Sequence, residues 1–129
     1  MPQFIIDNLA DHLVTLRMPG KNYRNCFQLP PNAPAPSVGQ RITGTILAPA
    51  WKVDVVTAGG NYVEPLMGRP RRMQGAVVAI DGPRNQLTVE VGYPVIVQLP
   101  PSAKATHFTV GSRIGWDNLE IPVFQPQGG

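Results

Sequence analysis

Prolines and glycines are the feature of this sequence that most restricts its fold. Fifteen prolines and thirteen glycines are spread along 129 residues, where they separate short apolar runs. Proline removes a backbone donor and glycine favours turns, so this distribution predicts many turns and few long helices. A chain of 129 residues, of which 43% are apolar, is long enough to bury a core. We therefore predict a compact, loop-rich β-protein.

Short runs with a period of two predict the strands. In most of them β-branched and aromatic residues alternate with polar ones, which is typical of strands with one buried face. The runs are FII, HLVTLRM and YRNCFQL before residue 30, and then 41–47, 52–57, 61–66, 74–80, 86–91, 94–99, 107–110, 113–116 and 120–124. Strands this short and evenly spaced predict an all-β fold, namely a small antiparallel barrel or barrel-like sandwich.

The whole chain, residues 1–129, is predicted to form a single β-domain. Residues 1–29 supply N-terminal strands, the proline-rich stretch 30–37 forms an extended strap, and residues 38–129 form the main barrel with a C-terminal arm. The part before the strap is too short for an independent core. The strap is therefore expected to cross one domain instead of linking two.

The motif Val-Gly-x-Arg-Ile occurs twice, in SVGQRITG at 37–44 and in TVGSRIGW at 109–116. Two copies of five letters do not establish a repeat architecture, which needs a fixed period and several units. We predict a structural role, in which Gly39 and Gly111 each form a turn that enters a strand. A pseudo-symmetric paired site is the alternative.

Charge and cysteine content exclude several classes of protein. The formal net charge is +3, which is too weakly basic for a dedicated DNA-binding domain. Cys26 is the single cysteine, so the chain forms no internal disulfide. The N-terminus lacks the basic region of a secretory signal, and no run approaches the roughly 20 apolar residues of a membrane-spanning helix. We expect a cytoplasmic protein with no membrane partner.

Motifs for metal binding or catalysis are lacking. His12, His107 and Cys26 do not have the spacing of metal ligands, and none of the serines lies in Gly-x-Ser-x-Gly. Asp54 has apolar neighbours, but strand alternation places it beside Lys52 on a solvated face, where the two are expected to form an ion pair. We predict no cofactor, no metal and no catalytic residue. A small enzyme without a recognisable motif is the outside alternative.

Arginines cluster in the sequence GRPRRM, which contains Arg69, Arg71 and Arg72. Trp51 and Tyr62 belong to neighbouring predicted strands. Small β-barrels bind single-stranded nucleic acid by combining a positive groove with aromatic faces on which bases stack. These five residues are therefore the candidate site for nucleic acid or another polyanion. A solvated loop that discourages edge pairing explains the same arginines.

Self-association is the other function that the sequence favours. Charged residues make up only 15% of the chain, so its sheet edges have to be covered or blocked. The uncharged run YPVIVQLPP forms an association strand if it is exposed, and core if it is central. Pro122 predicts an edge strand or an arm that packs on a neighbouring subunit. We predict a non-catalytic β-barrel binding or assembly module that forms homo-oligomers, with polyanion binding as the alternative.

Overall fold

The computed structural model describes residues 3–33 and 36–127, so residues 34 and 35 of the predicted strap lie outside it. Strands account for 56% of the chain and helix for 2%, which confirms the all-β prediction. The strands are β1 (Gln3–Ala10), β2 (Leu13–Arg17), β3 (Arg24–Gln28), β4 (Arg41–Val56), β5 (Tyr62–Glu64), β6 (Met67–Gly68), β7 (Arg72–Asp81), β8 (Gln86–Glu90), β9 (Pro94–Gln98), β10 (Arg113–Asn118) and β11 (Val123–Pro126). A short 3-10 helix lies at Ala105–His107.

The strands form one mixed sheet in which β4 has the most partners. The hydrogen-bonded order is β1-β2-β3-β11-β4-β10-β7-β8-β9, and β4 pairs in addition with β1 and with β9. β5 pairs with β7, and β6 pairs with β3. Most pairs are antiparallel, but β3 runs parallel to β6 and β11, and β4 runs parallel to β9. The sheet is therefore mixed, whereas the sequence predicts an antiparallel barrel or sandwich, because these parallel partners are joined by crossovers and not by hairpins.

β4 is one strand of 16 residues where the sequence predicts two strands separated by Pro49. A proline removes only one backbone donor, and the Pro49 carbonyl still accepts a hydrogen bond from the Leu119 N–H at 2.7 Å. The register with β10 shifts nearby and leaves Trp51 without a partner in that strand, as in a β-bulge. β4 therefore continues through the proline and is long enough to pair with four strands.

Two predicted segments have a different structure. Residues 107–110 are not a strand, because the chain turns there: the Phe108 N–H donates back to the Ala105 carbonyl at 3.1 Å. In the predicted C-terminal arm, the strand begins at Val123 and not at residue 120, and it lies in the chain's own sheet, where Val123 stands opposite Leu47 of β4 and Gln28 of β3. β11 is thus an integral strand of the fold.

One hydrophobic cluster fills the inner face of the sheet. The run YPVIVQLPP belongs to it, since Val95 and Val97 of β9 are completely buried between β8 and β4. Burial of each such side chain contributes roughly 1.5–3 kcal/mol to folding. Tyr93 packs edge-to-face against Phe4 and Phe27, with ring centroids 5.8 and 6.2 Å apart. This run is therefore core and not an exposed association strand.

The two copies of Val-Gly-x-Arg-Ile form equivalent turns. Gly39 has φ of 88° and Gly111 has φ of 95°, a conformation that favours glycine. Gly39 donates its N–H to the Ile6 carbonyl at 2.7 Å, and Gly111 donates to the Val77 carbonyl at 2.8 Å. In each turn the bond is returned to the carbonyl of the residue that follows the glycine. The Ile6 N–H donates to Gln40 at 3.0 Å, and the Val77 N–H donates to Ser112 at 2.9 Å. The predicted turns that enter β4 and β10 are confirmed, and they make the same contacts with β1 and β7.

Candidate functional site

The arginine loop, residues 69–71, carries two exposed arginines. Arg69 and Arg71 flank Pro70, which is buried. Neither makes an ion pair with another residue of the ranges 3–33 and 36–127. Both line a surface groove of about 430 Å³ that is formed by Pro65, Arg69, Pro70, Arg71, Asn118, Glu120 and Ile121. Since Glu120 lies in the same groove, its lining carries two positive charges and one negative charge.

Arg72 is separate from the other two arginines, because it belongs to β7 and contacts neighbours in the sheet. Its Nη1 donates to Asp117 Oδ1 at 3.1 Å. The neighbouring Tyr62 hydroxyl raises the pKa of Arg72, partial burial lowers it, and Asp117 raises it further, so the net shift is upward. A Cβ on Gly115 would lie 2.8 Å from Arg72 Nη2, so the guanidinium covers that glycine. Arg72 and Tyr62 are thus engaged within the chain.

Asn25 anchors the backbone that precedes the arginine loop. Its side chain is buried, and Nδ2 donates to the carbonyls of Pro65, Leu66 and Gly68 at 3.2, 3.4 and 3.3 Å. Its Oδ1 accepts a hydrogen bond from the Tyr93 hydroxyl at 3.0 Å. A buried amide needs such partners, because an unpaired polar group in the core is costly. The start of the loop is therefore fixed to the core, while the arginine side chains lie at the surface.

The second half of β4 has a free edge. Residues 50–56 pair with β10 on one side, and no other strand in the described chain reaches their opposite side. Trp51 is 51% exposed and Val55 is 64% exposed. Val53 between them is partly buried. We call residues 51–56 the open edge of β4.

Prolines explain why this edge is not covered. β9 runs parallel to β4 and pairs with residues 47–49, and then it ends. The next residue, Leu99, donates its N–H to the Asn85 carbonyl at 3.1 Å. Pro100 and Pro101 follow, and proline has no N–H to donate. The chain that leaves β9 therefore lacks the donors to continue the ladder along β4.

Val53 and Val55 point their backbone groups into the open edge. Asn118 of β10 donates its N–H to the Arg71 carbonyl, which lies on the β7 side. Successive residues of a strand direct their backbone N–H and C=O groups to opposite sides. Since Asn118 bonds to β7, Asp117 and every second residue before it bond to β4. The residues of β4 that stand opposite them are 52, 54 and 56. The N–H and C=O groups of Val53 and Val55 consequently face away from β10.

Trp51 and Lys52 lie side by side on the outer surface. Lys52 Nζ is 4.7 Å from the centroid of the Trp51 ring, although strand alternation predicts opposite faces for the two residues. The bulge at Trp51 removes that alternation. Lys52 and Asp54 are both exposed, but the ion pair expected between them is not formed within the part of the chain that the structure describes.

The five residues predicted to bind a polyanion thus lie in three places. Arg69 and Arg71 share the groove, Arg72 and Tyr62 lie on the paired strands β7 and β5, and Trp51 lies on the open edge of β4. β10 and β7 separate β4 from β5, which carries Tyr62. Aromatic and cationic side chains are therefore not combined in one groove.

Other candidate chemistry is sparse in residues 3–33 and 36–127. No three His, Cys, Asp or Glu side chains in these ranges are grouped so that they could hold a metal ion. Nor do the same residues include a helix long and apolar enough to cross a membrane. Cys26 is partly buried in β3, and His12 and His107 are exposed.

A scan of protein-family models and searches of curated proteins and of solved structures found no match for this chain. The open edge of β4 and the arginine loop are therefore the features of this structure that indicate a function.

The open edge is not predicted by local sequence patterns. A period-two pattern predicts a strand over 52–57, but it carries no information about which edge of that strand is paired. The signal in the sequence was Pro100-Pro101, which ends the ladder of the preceding strand. That signal has a meaning only once β9 is known to lie beside β4.

Proposed function

We propose that this protein is a non-catalytic, barrel-like β-module that assembles into homo-oligomers through the open edge of β4. The observation that carries the proposal is the open edge over 51–56. The side of this edge that faces away from β10 has no strand partner in the described chain. An unpaired edge of this length is a template for a further strand. Its valines, Val53, Val55 and Val56, have a strong preference for strands.

Two contributions favour association at this edge. The outward N–H and C=O groups of Val53 and Val55 would exchange water for a second strand, at a net gain of roughly 0.5–1.5 kcal/mol per hydrogen bond. Association would also cover part of Val55, which is 64% exposed in the single chain. Each apolar side chain that becomes fully buried adds up to about 1.5–3 kcal/mol. The edge therefore offers both backbone pairing and apolar burial.

The barrel-like part of the proposal is supported by the pairings of β4. The path of strands leaves β4 through β11 and returns to it through β1, and it leaves through β10 and returns through β9. A sheet that returns to the same strand encloses its apolar face, which agrees with a single hydrophobic cluster. A cytoplasmic location stays part of the proposal and is supported by the presence of only one cysteine in the sequence.

Polyanion or nucleic-acid binding by the arginine loop is the second candidate. It is favoured by the position of Arg69 and Arg71 in one groove, without an ion-pair partner in the described residues. Arg72 contributes less, because it is held by Asp117. Two arginines neutralise about two phosphates, which predicts weak binding that falls with salt. Glu120 in the same groove weakens it further.

Light scattering after size exclusion distinguishes the two candidates. The protein is measured at low and high salt, with and without a short single-stranded oligonucleotide. Self-assembly predicts at least twice the chain mass of 14.0 kDa, with little effect of salt or oligonucleotide. Polyanion binding predicts a protein of 14.0 kDa that carries the oligonucleotide only at low salt.

Two matched substitutions test the role of the edge. Val55→Lys places a charge on the open edge, while Val78→Lys places the same charge on β7, where the valine is 50% exposed. Val55→Lys should weaken self-association about tenfold or more, and Val78→Lys should leave the mass unchanged. A wild-type protein that remains at 14.0 kDa at every concentration overturns the proposal, as does an equal effect of the two substitutions.

A further inference from the structure

We infer that two copies of this chain pair antiparallel along the open edge of β4, with Val53 opposite Val53 and Lys52 opposite Asp54 of the second copy. The inference rests on the proposed self-assembly and adds the partner strand, the register and the symmetry. An antiparallel pair of identical strands uses the same surface on both copies, so it closes as a two-fold dimer and does not extend into a filament.

The charges of the sheet support this register. One row of charged side chains crosses four neighbouring strands, and their charges alternate in sign. The row consists of Glu64 on β5, Arg72 on β7, Asp117 on β10 and Lys52 on β4. The row ends at Lys52, on the open edge, where no carboxylate of the described residues forms an ion pair with it. A second copy in this register places Asp54 next in the row. Asp54 likewise has no ion pair within residues 3–33 and 36–127.

The backbone restricts the alternatives to three registers. Since Val53 and Val55 carry the outward groups, a paired copy must align these residues with each other. If Val53 lies opposite Val55 of the second copy, Asp54 lies opposite the Asp54 of that copy, and the two like charges repel each other. Val55 opposite Val55 leaves Lys52 and Asp54 without charged partners. Val53 opposite Val53 places Lys52 opposite Asp54 twice, and directly opposed opposite charges stabilise a strand pair.

The lysine on this edge has a second interpretation, because lysines in edge strands often prevent pairing. That protection depends on an uncompensated charge. Asp54 lies two residues away and on the same face as Lys52, so an antiparallel copy neutralises both charges. The charges of the open edge therefore disfavour pairing with other strands and favour pairing with the same edge of a second copy. Charge thus determines the specificity of the pairing.

Charge exchange tests the register. Lys52→Glu produces an edge with two acidic residues, and Asp54→Lys produces one with two basic residues. Each change converts both cross-strand attractions into repulsions, so each variant alone should dimerise about tenfold or more weakly than wild type. An equimolar mixture should form a heterodimer, and the double variant K52E/D54K should recover the homodimer. Native mass spectrometry separates these species.

The control is Lys21→Glu, which makes the same charge change at an exposed position of the turn before β3. It should dimerise like wild type. If wild type is monomeric, the proposed assembly itself is wrong. If wild type is dimeric but the two single variants dimerise equally well, or their mixture forms no heterodimer and the double variant no homodimer, then the edge register is wrong while self-assembly stands.

Discussion

Among single residues, Tyr93 links the core to the arginine loop. Its hydroxyl donates to Asn25 Oδ1, and the amide of Asn25 donates to three carbonyls between 65 and 68. Both side chains are almost completely buried, so water does not easily replace a lost partner. The cost of breaking this contact is therefore mainly the cost of an unsatisfied acceptor in the core.

We expect Tyr93→Phe to lower the free energy of unfolding by about 1–3 kcal/mol, because it leaves Asn25 Oδ1 without its donor. Urea denaturation at neutral pH measures this loss. Tyr23→Phe is the matched control, since its hydroxyl donates to the Val91 carbonyl at 3.2 Å in a more exposed position. Its loss should stay below about 1 kcal/mol. Equal losses in the two variants would show that burial of the network is not what makes Tyr93 important.

The same substitution has an effect at high pH. Burial raises the pKa of Tyr93 well above its usual 10.0, and the nearby Tyr23 raises it further. Because the pKa is higher in the folded than in the unfolded chain, the contribution to stability is complete below pH 10.0 and is lost as the pH rises above it. Tyr93→Phe should therefore lose less stability than wild type over the roughly one pH unit above that value, and parallel pH profiles would contradict the assignment.

Some elements can be predicted from local sequence and others cannot, for physical reasons. β8 and β9 are close to their predicted bounds, because their alternation reports directly which residues are buried. β4 is wrongly divided at Pro49, because local sequence does not show that a carbonyl alone suffices there. Residues 107–110 are wrongly assigned to a strand, because the 3-10 turn before them depends on tertiary packing.

Gly75 permits the close approach of β7 and β8. A Cβ at this position would overlap the Glu90 carbonyl oxygen and lie 3.1 Å from the Val91 Cα. Both are backbone atoms, which move only if β8 moves. Gly75→Ala should therefore destabilise the protein by about 1–3 kcal/mol, measured by urea denaturation. Gly60→Ala is the control, since its Cβ would meet no atom within 4 Å, and its effect should stay within about 0.5 kcal/mol.

For the molecule as a whole, the candidate sites were predictable only in part. Arg69 and Arg71 share a groove because they are neighbours in the sequence, and a loop keeps such neighbours together. Trp51 lies apart from them, because β10, which is distant in sequence, is inserted between β4 and β7. The open edge depends on where β9 ends along β4, which is a long-range relationship. Local patterns therefore predicted the arginine loop but not the edge.

Assembly through the open edge also has to appear in the stability of the whole molecule. Only the folded chain associates, so association stabilises the folded state and not the unfolded state. The urea midpoint of wild type should therefore rise as the protein concentration increases from roughly 1 to 100 µM. Val53→Pro removes an N–H that faces away from β10, and so it leaves the ladder between β4 and β10 intact. The midpoint of this variant should not depend on concentration. A wild-type midpoint that is constant, or a Val53→Pro midpoint that still rises, would mean that the edge of β4 does not hold the copies together.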